Sequence, residues 1–569
     1  MTASRSDWCI SRQRTWGVPI PVFYHVDTKE PLITEETISH IKAIISKKGS
    51  DAWWYMSTEE LLPEKFRSSA PKYQKGTDTM DVWFDSGSSW AAVLGKREGL
   101  SLPADLYLEG TDQHRGWFQS SLLTSIATTG KPPYACVVTH GFVLDEKGLK
   151  MSKSLGNVVD PEIIISGGKN KDEPSYGADV LRLWVSSVDY TGDVLIGPQI
   201  LRQMSDVYRK FRGTLRYLLS NLHDWKLAHD WVAIYMAHYE FITTLPSCKN
   251  TWFTNTMVCN FLVMNVLYVF CERLVQLVDP GNSISYDALP KIDQYALYQL
   301  ENIVKIVKDS YDNYQFYKIF QILQRFAIVD LSNFYFDVAK DRLYVGGSTS
   351  FTRRSCQTVL AAHLLSIIQM IAPILPHLAE DAWQNLPFEH VMDNGSIARY
   401  VFDLRWSDLN ERWLSMPASE ADFWGSILEL RSEVNKVLEV ARGGKLIGSS
   451  LEAKVYIYTS DAATSSQLQE MCGAMHEADS LHRIFITSQV EVLAGLDEMV
   501  QTVQYTGSYT IQANIEVWIG VSRADGMKCE RCWNYSPNVG MFSEHPTLCS
   551  RCNAVIGDSQ PLQASAQVC

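Results

Sequence analysis

Two short apolar runs bracketing a helical stretch set the fold class of the first part of the chain. Asp105–Gly110 (DLYLEG) reads as a strand ending in glycine, and Tyr134–His140 (YACVVTH) as a β-branched, buried strand. Between them Trp117, Phe118, Leu122, Leu123 and Ile126 recur at helical spacing. Strand, polar turn, helix and strand in this order describe an α/β layer. Ligands of open α/β sheets sit at the carboxyl ends of the strands. Two loops fall there: the Glu109–His114 turn, and Thr139–Gly156, which reads THGFVLDEKGLKMSKSLG.

The chemistry of these loops suits a nucleotide. Gly110 allows close backbone approach, and the carboxylates of Glu109 and Asp112 can accept ribose hydroxyls beside Gln113. A strand-end acid alone is more often a helix cap; paired with the second loop it reads as a ligand contact. After the hairpin-like Asp145–Gly148 come Lys150, Met151, Ser152, Lys153 and Ser154. Two lysines three positions apart, interleaved with hydroxyls, offer compact positive charge and hydrogen bonds to phosphate.

Bulk properties narrow the setting. The 569 residues are enough for three or four domains, and the net charge of −13 excludes a generic basic nucleic-acid coat. Any RNA contact must use local basic faces. Met257–Cys271, the most apolar stretch, is broken by Asn260 and Asn265 and is too short for a membrane span. Neither a signal peptide nor an Arg-rich presequence opens the sequence. Of 12 cysteines, four form two CxxC pairs, which favours a reducing compartment and one metal site over a disulfide scaffold.

Residues from about 25 to 80 form an excursion of weak periodicity, opened by Asp7–Phe23 (DWCISRQRTWGVPIPVF) and closed by MDVWFDSG at Met80–Gly87. Arg12, Gln13 and Arg14 suggest a helical polar face, and Ile20–Tyr24 a strand broken by Pro21. Further on, Leu201, Met204, Tyr208, Phe211, Leu215, Leu218 and Leu222 make a helical stripe. Arg202, Arg209, Lys210, Arg212 and Arg216 lie around it. A second long helix passes through Phe316, Leu323, Phe326, Leu331 and Phe334. A third runs from Arg354 through Ile374, interrupted late by Pro373 and Pro376. A helix from Glu420 to Arg442 leads through Gly443–Lys445 to alternating Ala453, Val455 and Ile457, a strand. Finally, Cys529, Cys532, Cys549 and Cys552 have the spacing of a tetrahedral Cys₄ zinc ribbon, with no open coordination position for catalysis. Residues of about 225–287, rich in Trp, Tyr, Cys and Met, fit none of these patterns.

DWCISRQRTWGVPIP, DVWFDSGSSW, YLEGTDQHRGWF, THGF and KMSKSLGN occur in this order in isoleucyl-tRNA synthetases. The chain therefore resembles that group of class I aminoacyl-tRNA synthetases. Later strings agree: YGADVLRLWVSSVDYTGD resembles the stem-contact region, and DLSNFYFDVAKDRLY and IAPILPHLAEDAW the anticodon-binding bundle. The resemblance implies the second half of a class I Rossmann-like catalytic domain over 1–160 and a stem-contact region over 161–199. An all-α anticodon-binding bundle over 200–415, with the unmatched insert inside it, would follow. Then come a small α+β region over 416–525, the ribbon over 526–556 and a tail over 557–569. It further implies that Glu109, Gly110, Asp112, Gln113 and His140 contact the aminoacyl-adenylate. Trp117 and Trp83 would wall the isoleucine pocket, and Lys153 with Lys150 would stabilise the triphosphate as pyrophosphate leaves. Expected ligands are ATP with Mg²⁺, isoleucine, tRNA(Ile) and a structural Zn²⁺. The expected protein is a monomer of the mitochondrial matrix, without a membrane partner.

One absence keeps a second reading open. None of the 13 histidines lies in an H-x-G-H motif, which this class places early in the nucleotide fold, and no threonine-rich editing segment is present. A non-catalytic tRNA-binding fragment is the alternative.

Overall fold

The computed structural model describes residues 7–169, 173–225, 283–390, 396–404, 406, 413–511 and 515–558. Most of the unmatched 225–287 stretch and nearly all of the 557–569 tail lie outside them. The chain divides into two compact units. One contains the residues up to Val158 together with Tyr190–Ile196; the other contains Val159–Asp189 and the residues from Gly197 onward. No helix among the described residues is long and apolar enough to cross a membrane.

In the first unit, Ala104–Gly110 and Tyr134–His140 pair in parallel, from Ala104 opposite Tyr134 to Gly110 opposite His140. The Trp117–Thr129 helix makes the crossover and stops at Gly130, whose φ of 72° is the left-handed cap that glycine adopts freely. It packs closely on the short Val82–Gly87 helix. A Cβ at Gly87 would come within 2.7 Å of Ser120, and Thr124 donates to the Gly87 carbonyl at 2.8 Å. Tyr134–His140 is a strand as expected, but it is half-buried rather than buried. The physical reason lies in the sheet: among the described residues only two strands pair here. Leu106 (36% exposed) and Leu108 (56%) therefore face outward where a parallel sheet is normally covered.

The expected helical face at Arg12–Arg14 is replaced by extended chain. Ser11–Arg12 pairs antiparallel with Thr79–Met80. The Thr79 hydroxyl reaches the carbonyl oxygens of Arg12 (3.2 Å) and Arg14 (3.1 Å), competing with any helical use of those acceptors. The strand expected at Ile20–Tyr24 begins only at Phe23, past Pro21, and runs to His25. The excursion is better ordered than its weak periodicity suggests. The Glu35–Lys48 helix opens with a reciprocal Thr34/Thr37 cap, and Phe23, Ile41, Trp53, Leu61 and Leu62 are buried together.

The second unit begins with helices Ala178–Ser187 and Pro198–Ser220, the latter placing Leu201, Phe211, Leu215 and Leu218 in the core. Lys291–Asp312 follows. The second long helix is continuous from Phe316 to Tyr344, with its middle, Phe326–Tyr335, wound in wider π-helical turns. The third spans Phe351–Ile371 and stops short of Pro373, which cannot supply a helical N–H. These helices share one hydrophobic core. At its centre Asp293 is fully buried; it accepts from Arg342 at 2.8 and 3.0 Å and from the Tyr335 hydroxyl at 2.7 Å. Both carboxylate oxygens and both terminal guanidinium nitrogens are thus paired, which offsets much of the cost of an interior ion pair, while Arg342 Nε is buried without a partner. The Ala418–Gly443 helix then crosses a four-stranded sheet, ordered Gln489–Val492, Ala453–Thr459, Ile515–Arg523 and Tyr505–Ile511. The cysteine-bearing segment closes the described chain with the Ser550–Asp558 helix.

Candidate functional site: a strand-end nucleotide site and a four-cysteine centre

The parallel register brings the expected contacts together. Glu109 stands opposite Thr139 and Gly110 opposite His140, both at the carboxyl ends of their strands. Gly110 is buried while Glu109 and Asp112 are exposed, so the backbone is covered and the carboxylates are presented. A Cβ at Gly110 would lie 2.6 Å from Asp112 Oδ1 and 3.8 Å from the His140 ring. Any side chain at this position would push the Asp112 carboxylate aside, so glycine lets Asp112 keep its present place beside His140. Gln113 is oriented twice: its Nε2 donates to Asp112 at 2.9 Å, and its Oε1 accepts the Trp117 N–H at 3.0 Å. His140 Nδ1 lies 2.8 Å from the carbonyl oxygen of Gly141.

The two tryptophans are neighbours with different surroundings. Trp117 stacks on Tyr107 (4.1 Å between centroids, 4° between planes), and its indole N–H reaches Ser86 O and Ser89 Oγ at 3.1 Å each. These contacts fix the orientation of its ring. Trp83 is 40% exposed, and its ring edge lies against Gly116, where a Cβ would be 2.8 Å away. Burial raises the Tyr107 hydroxyl above its ordinary range, so it stays protonated under this pair.

The lysine loop is braced by residues that sequence reasoning passed over. Asp145 Oδ1 accepts the N–H groups of Lys147 and Leu149 at 2.9 and 2.8 Å. Its Oδ2 accepts from Asn157 at 2.9 Å, and Asn157 in turn holds the Ser152 N–H at 2.9 Å. The Asn157 hydrogen bond is the main reason the Asp145 carboxyl titrates below its usual value. Lys150 projects over the Phe142 ring, 6.0 Å from its centroid, while Lys153 is exposed on the loop. At the base, Gly141 packs against 192–193 so tightly that a Cβ would lie 2.1 Å from the Gly192 carbonyl oxygen. Phe142 N–H donates to Asp193 at 2.7 Å, and Val143–Leu144 pairs in parallel with Val194–Leu195. The signal for Asp145 and Asn157 was present as an acid opening a D-x-x-G turn and an amide closing the loop.

Asp81 was also missed. It is buried, accepts from Trp8 Nε1 at 3.0 Å and Arg12 at 2.5 Å, and caps the Val82–Gly87 helix through the Trp83 N–H at 3.3 Å. It thus ties DWCISRQR to DVWFDSG, two strings far apart in sequence.

In the second unit Cys529, Cys532, Cys549 and Cys552 are all buried, and their sulfurs lie within 4.8 Å of one another. Cys532 and Cys549 are 3.7 Å apart. Tetrahedral zinc with Zn–S bonds of about 2.3 Å requires sulfurs about 3.8 Å apart, so the donor set fits. A hydrogen bond between Cys532 and Cys552 favours the thiolate on Cys532, and the Cys549 N–H donates to Cys529 Sγ at 3.3 Å. Among the described residues, only Val539 and Leu548 join the four cysteines in this buried cluster.

Comparison with known proteins follows the same order along the chain. Residues 1–197 match the family described as tRNA synthetases class I (I, L, M and V), and 293–457 match the anticodon-binding domain of tRNA ligase. Residues 526–555 match the zinc finger found in FPG and IleRS. The chain is 65% identical to the chloroplastic/mitochondrial isoleucine–tRNA ligase of Arabidopsis thaliana, over 100% of this chain and 47% of that protein. It is 50% identical to the isoleucine–tRNA ligase of Rippkaea orientalis, over 98% of this chain and 52% of that one. The chain thus spans about half the length of the curated relatives it matches. A class I synthetase segment, an anticodon-binding domain and a four-cysteine finger thus follow one another in a chain that is similar along its whole length to about half of an isoleucine–tRNA ligase.

Proposed function

We propose that this chain carries the C-terminal part of an enzyme that joins isoleucine to tRNA(Ile) at the expense of ATP. The observation that supports this most is the strand-end corner, where Gly110, Asp112 and His140 crowd together beside a braced lysine loop. ATP, accompanied by Mg²⁺, and isoleucine would give isoleucyl-adenylate and pyrophosphate; the acyl group would then pass to the terminal ribose of the tRNA. Glu109, Gly110, Asp112, Gln113 and His140 hold the adenylate in this reading, with carboxylates accepting from ribose hydroxyls. Trp117, immobilised on Tyr107, and Trp83 line the isoleucine side chain. Lys150 and Lys153 stabilise charge on the departing pyrophosphate, so the loop's contribution is positioning and electrostatics. Zinc at the four cysteines supplies folding free energy to a segment with little apolar core. The protein acts as a monomer in an organelle, the mitochondrion or the chloroplast.

A tRNA-binding role without catalysis is the second reading, supported by the match of residues 293–457 to the anticodon-binding domain of tRNA ligase. Isoleucine-dependent ATP–pyrophosphate exchange separates the two. In a full-length protein carrying these residues, Lys153→Ala should cut exchange about a hundredfold, the scale of removing one charge-stabilising group. Exchange undiminished by Lys153→Ala would overturn the catalytic assignment. The 569-residue chain alone should give background exchange while still binding tRNA. Robust exchange by that chain, lost in Lys153→Ala, would show that the H-x-G-H side is dispensable.

A further inference from the structure

Arg551 lies inside the second CxxC pair, between Cys549 and Cys552, on the first turn of the Ser550–Asp558 helix. Its guanidinium leaves the metal centre and grips Asp341 of the Phe336–Tyr344 bundle helix in a two-pronged pair, with Nη2 at 2.8 Å from Oδ1 and Nη1 on Oδ2. Nη1 is also 3.7 Å from Glu477, in the α+β region. Arg483 completes the cluster, 3.4 Å from Asp341 and bonded to Glu477 through Nε at 3.0 Å. Two carboxylates and two guanidinium groups therefore meet where the ribbon, the bundle and the α+β region converge. Burial pushes the Asp341 carboxyl up, but the Arg551 hydrogen bonds and the charges of Arg483 and Arg551 outweigh it, so it remains ionised. The same segment is bolted to the bundle a second time. Asp479 accepts the N–H groups of Lys291 and Ile292 at 3.0 and 2.8 Å, at the start of the Lys291–Asp312 helix.

The ribbon brings little apolar surface of its own to this junction. Beyond the buried cluster of cysteines, Val539 and Leu548, its packing partners are Val345, just past the Phe336–Tyr344 helix, and its own Ile556. The knuckle that zinc would close is thus also the knuckle that aims Arg551. We propose that Arg551 is a positioning residue that couples metal occupancy to docking of the ribbon on the bundle. Zinc binding and docking then form one linked equilibrium, and linkage makes the effect reciprocal. Metal fixes the knuckle and presents Arg551 to Asp341; the Asp341 grip in turn holds the knuckle shut around the metal. This coupling concerns the chain's own architecture and stands whether or not the site in the first unit is catalytic.

The test uses the zinc-loaded 569-residue chain. Zinc release to excess 4-(2-pyridylazo)resorcinol should be about tenfold faster in Asp341→Asn than in the parent, within the range of such couplings. Arg551→Lys, which keeps the charge but loses the fork, should lie between. In the parent, stripping zinc should raise amide hydrogen exchange in 336–344 and 477–483; in Asp341→Asn that transmitted change should vanish. A purely structural role for Asp341 would lower the melting temperature of the bundle and leave zinc release within twofold of the parent. That result in both variants, or unchanged exchange in 336–344 on stripping the parent, would overturn the proposal.

Discussion

Asn157 donates to Asp145 at 2.9 Å across a separation of 12 positions that contains both Lys150 and Lys153. The loop is a closed lariat, and its two lysines ride on a frame rather than on a free tether. Asn157→Ala opens it. Trypsin should then cut after Lys150 and Lys153 about tenfold faster, because cleavage follows the population of the opened loop. In a full-length protein, exchange should also fall by at least about tenfold, since misplacing catalytic groups by an ångström is costly. A proteolysis pattern identical to the parent's would show that the brace is ornamental.

The four cysteines make a stoichiometric prediction. Metal analysis of purified protein should find close to one zinc per chain, and Cys529→Ser combined with Cys549→Ser should remove it. Far-ultraviolet circular dichroism should change little, because the helices outside 526–556 have their own core. Zinc retained in the double variant would place the metal elsewhere.

His363 predicts a pH response. It is buried with its ring nearly parallel to those of Phe326 and Tyr335 (centroids 5.7 Å from each), and burial depresses its titration to about 4. A histidine lowered from its unfolded value near 6.5 binds fewer protons when folded. Its neutral form is no burden above pH 6.5, and stability is lost as pH falls from there toward 4. Between pH 7 and pH 5 the loss should be about 2 kcal/mol from this group. Urea titrations should show that slope, and His363→Phe should flatten it. His482, also lowered to about 4 by burial and by Arg483, adds a second contribution that remains in the variant.

For RNA, the net charge of −13 means that affinity rests on a few local cations. Binding of isoleucine tRNA should exceed that of an unrelated tRNA and weaken steeply with salt. Filter binding at two salt concentrations is sufficient. Equal affinity for both tRNAs would remove the anticodon-binding role from the bundle.

The outward-facing Leu106 and Leu108 give a solubility prediction. A parallel pair with one bare face invites association, so Leu108→Lys should lower light scattering of the isolated chain at 37 °C. No change would mean that this face is not the sticky one.

The strands, the crossover helix and the cysteine centre were legible because each depends on local periodicity or fixed spacing. The strand end at Gly110 was legible as well, because glycine closes the apolar run there. Asp81 was not, since its role depends on Trp8 and Arg12 arriving from the other side of the excursion. Arg12–Arg14 looked helical because the Thr79 hydroxyl, 65 to 67 positions away, is invisible to any local window. The exposure of Leu106 was equally hidden, because a hydrophobic strand reads the same whether or not its sheet is covered. Residues 25–80 appeared featureless because their order comes from a small core of Phe23, Trp53 and Leu62, contributed by several short elements.

That excursion leaves and returns through a narrow doorway. Phe23 stands opposite Lys75 and Tyr24 opposite Gln74, while Ile20 N–H bonds the Asp78 carbonyl oxygen at 3.0 Å. To the rest of the first unit, everything from 26 to 72 is the loop of a long hairpin. Doubling or halving such a loop changes its closure cost by only about 0.6 kcal/mol. Lineages can therefore remodel this appendage by tens of residues, and engineers can swap it for a tight turn or a reporter domain, while Asp81 and the strings it ties together keep their places.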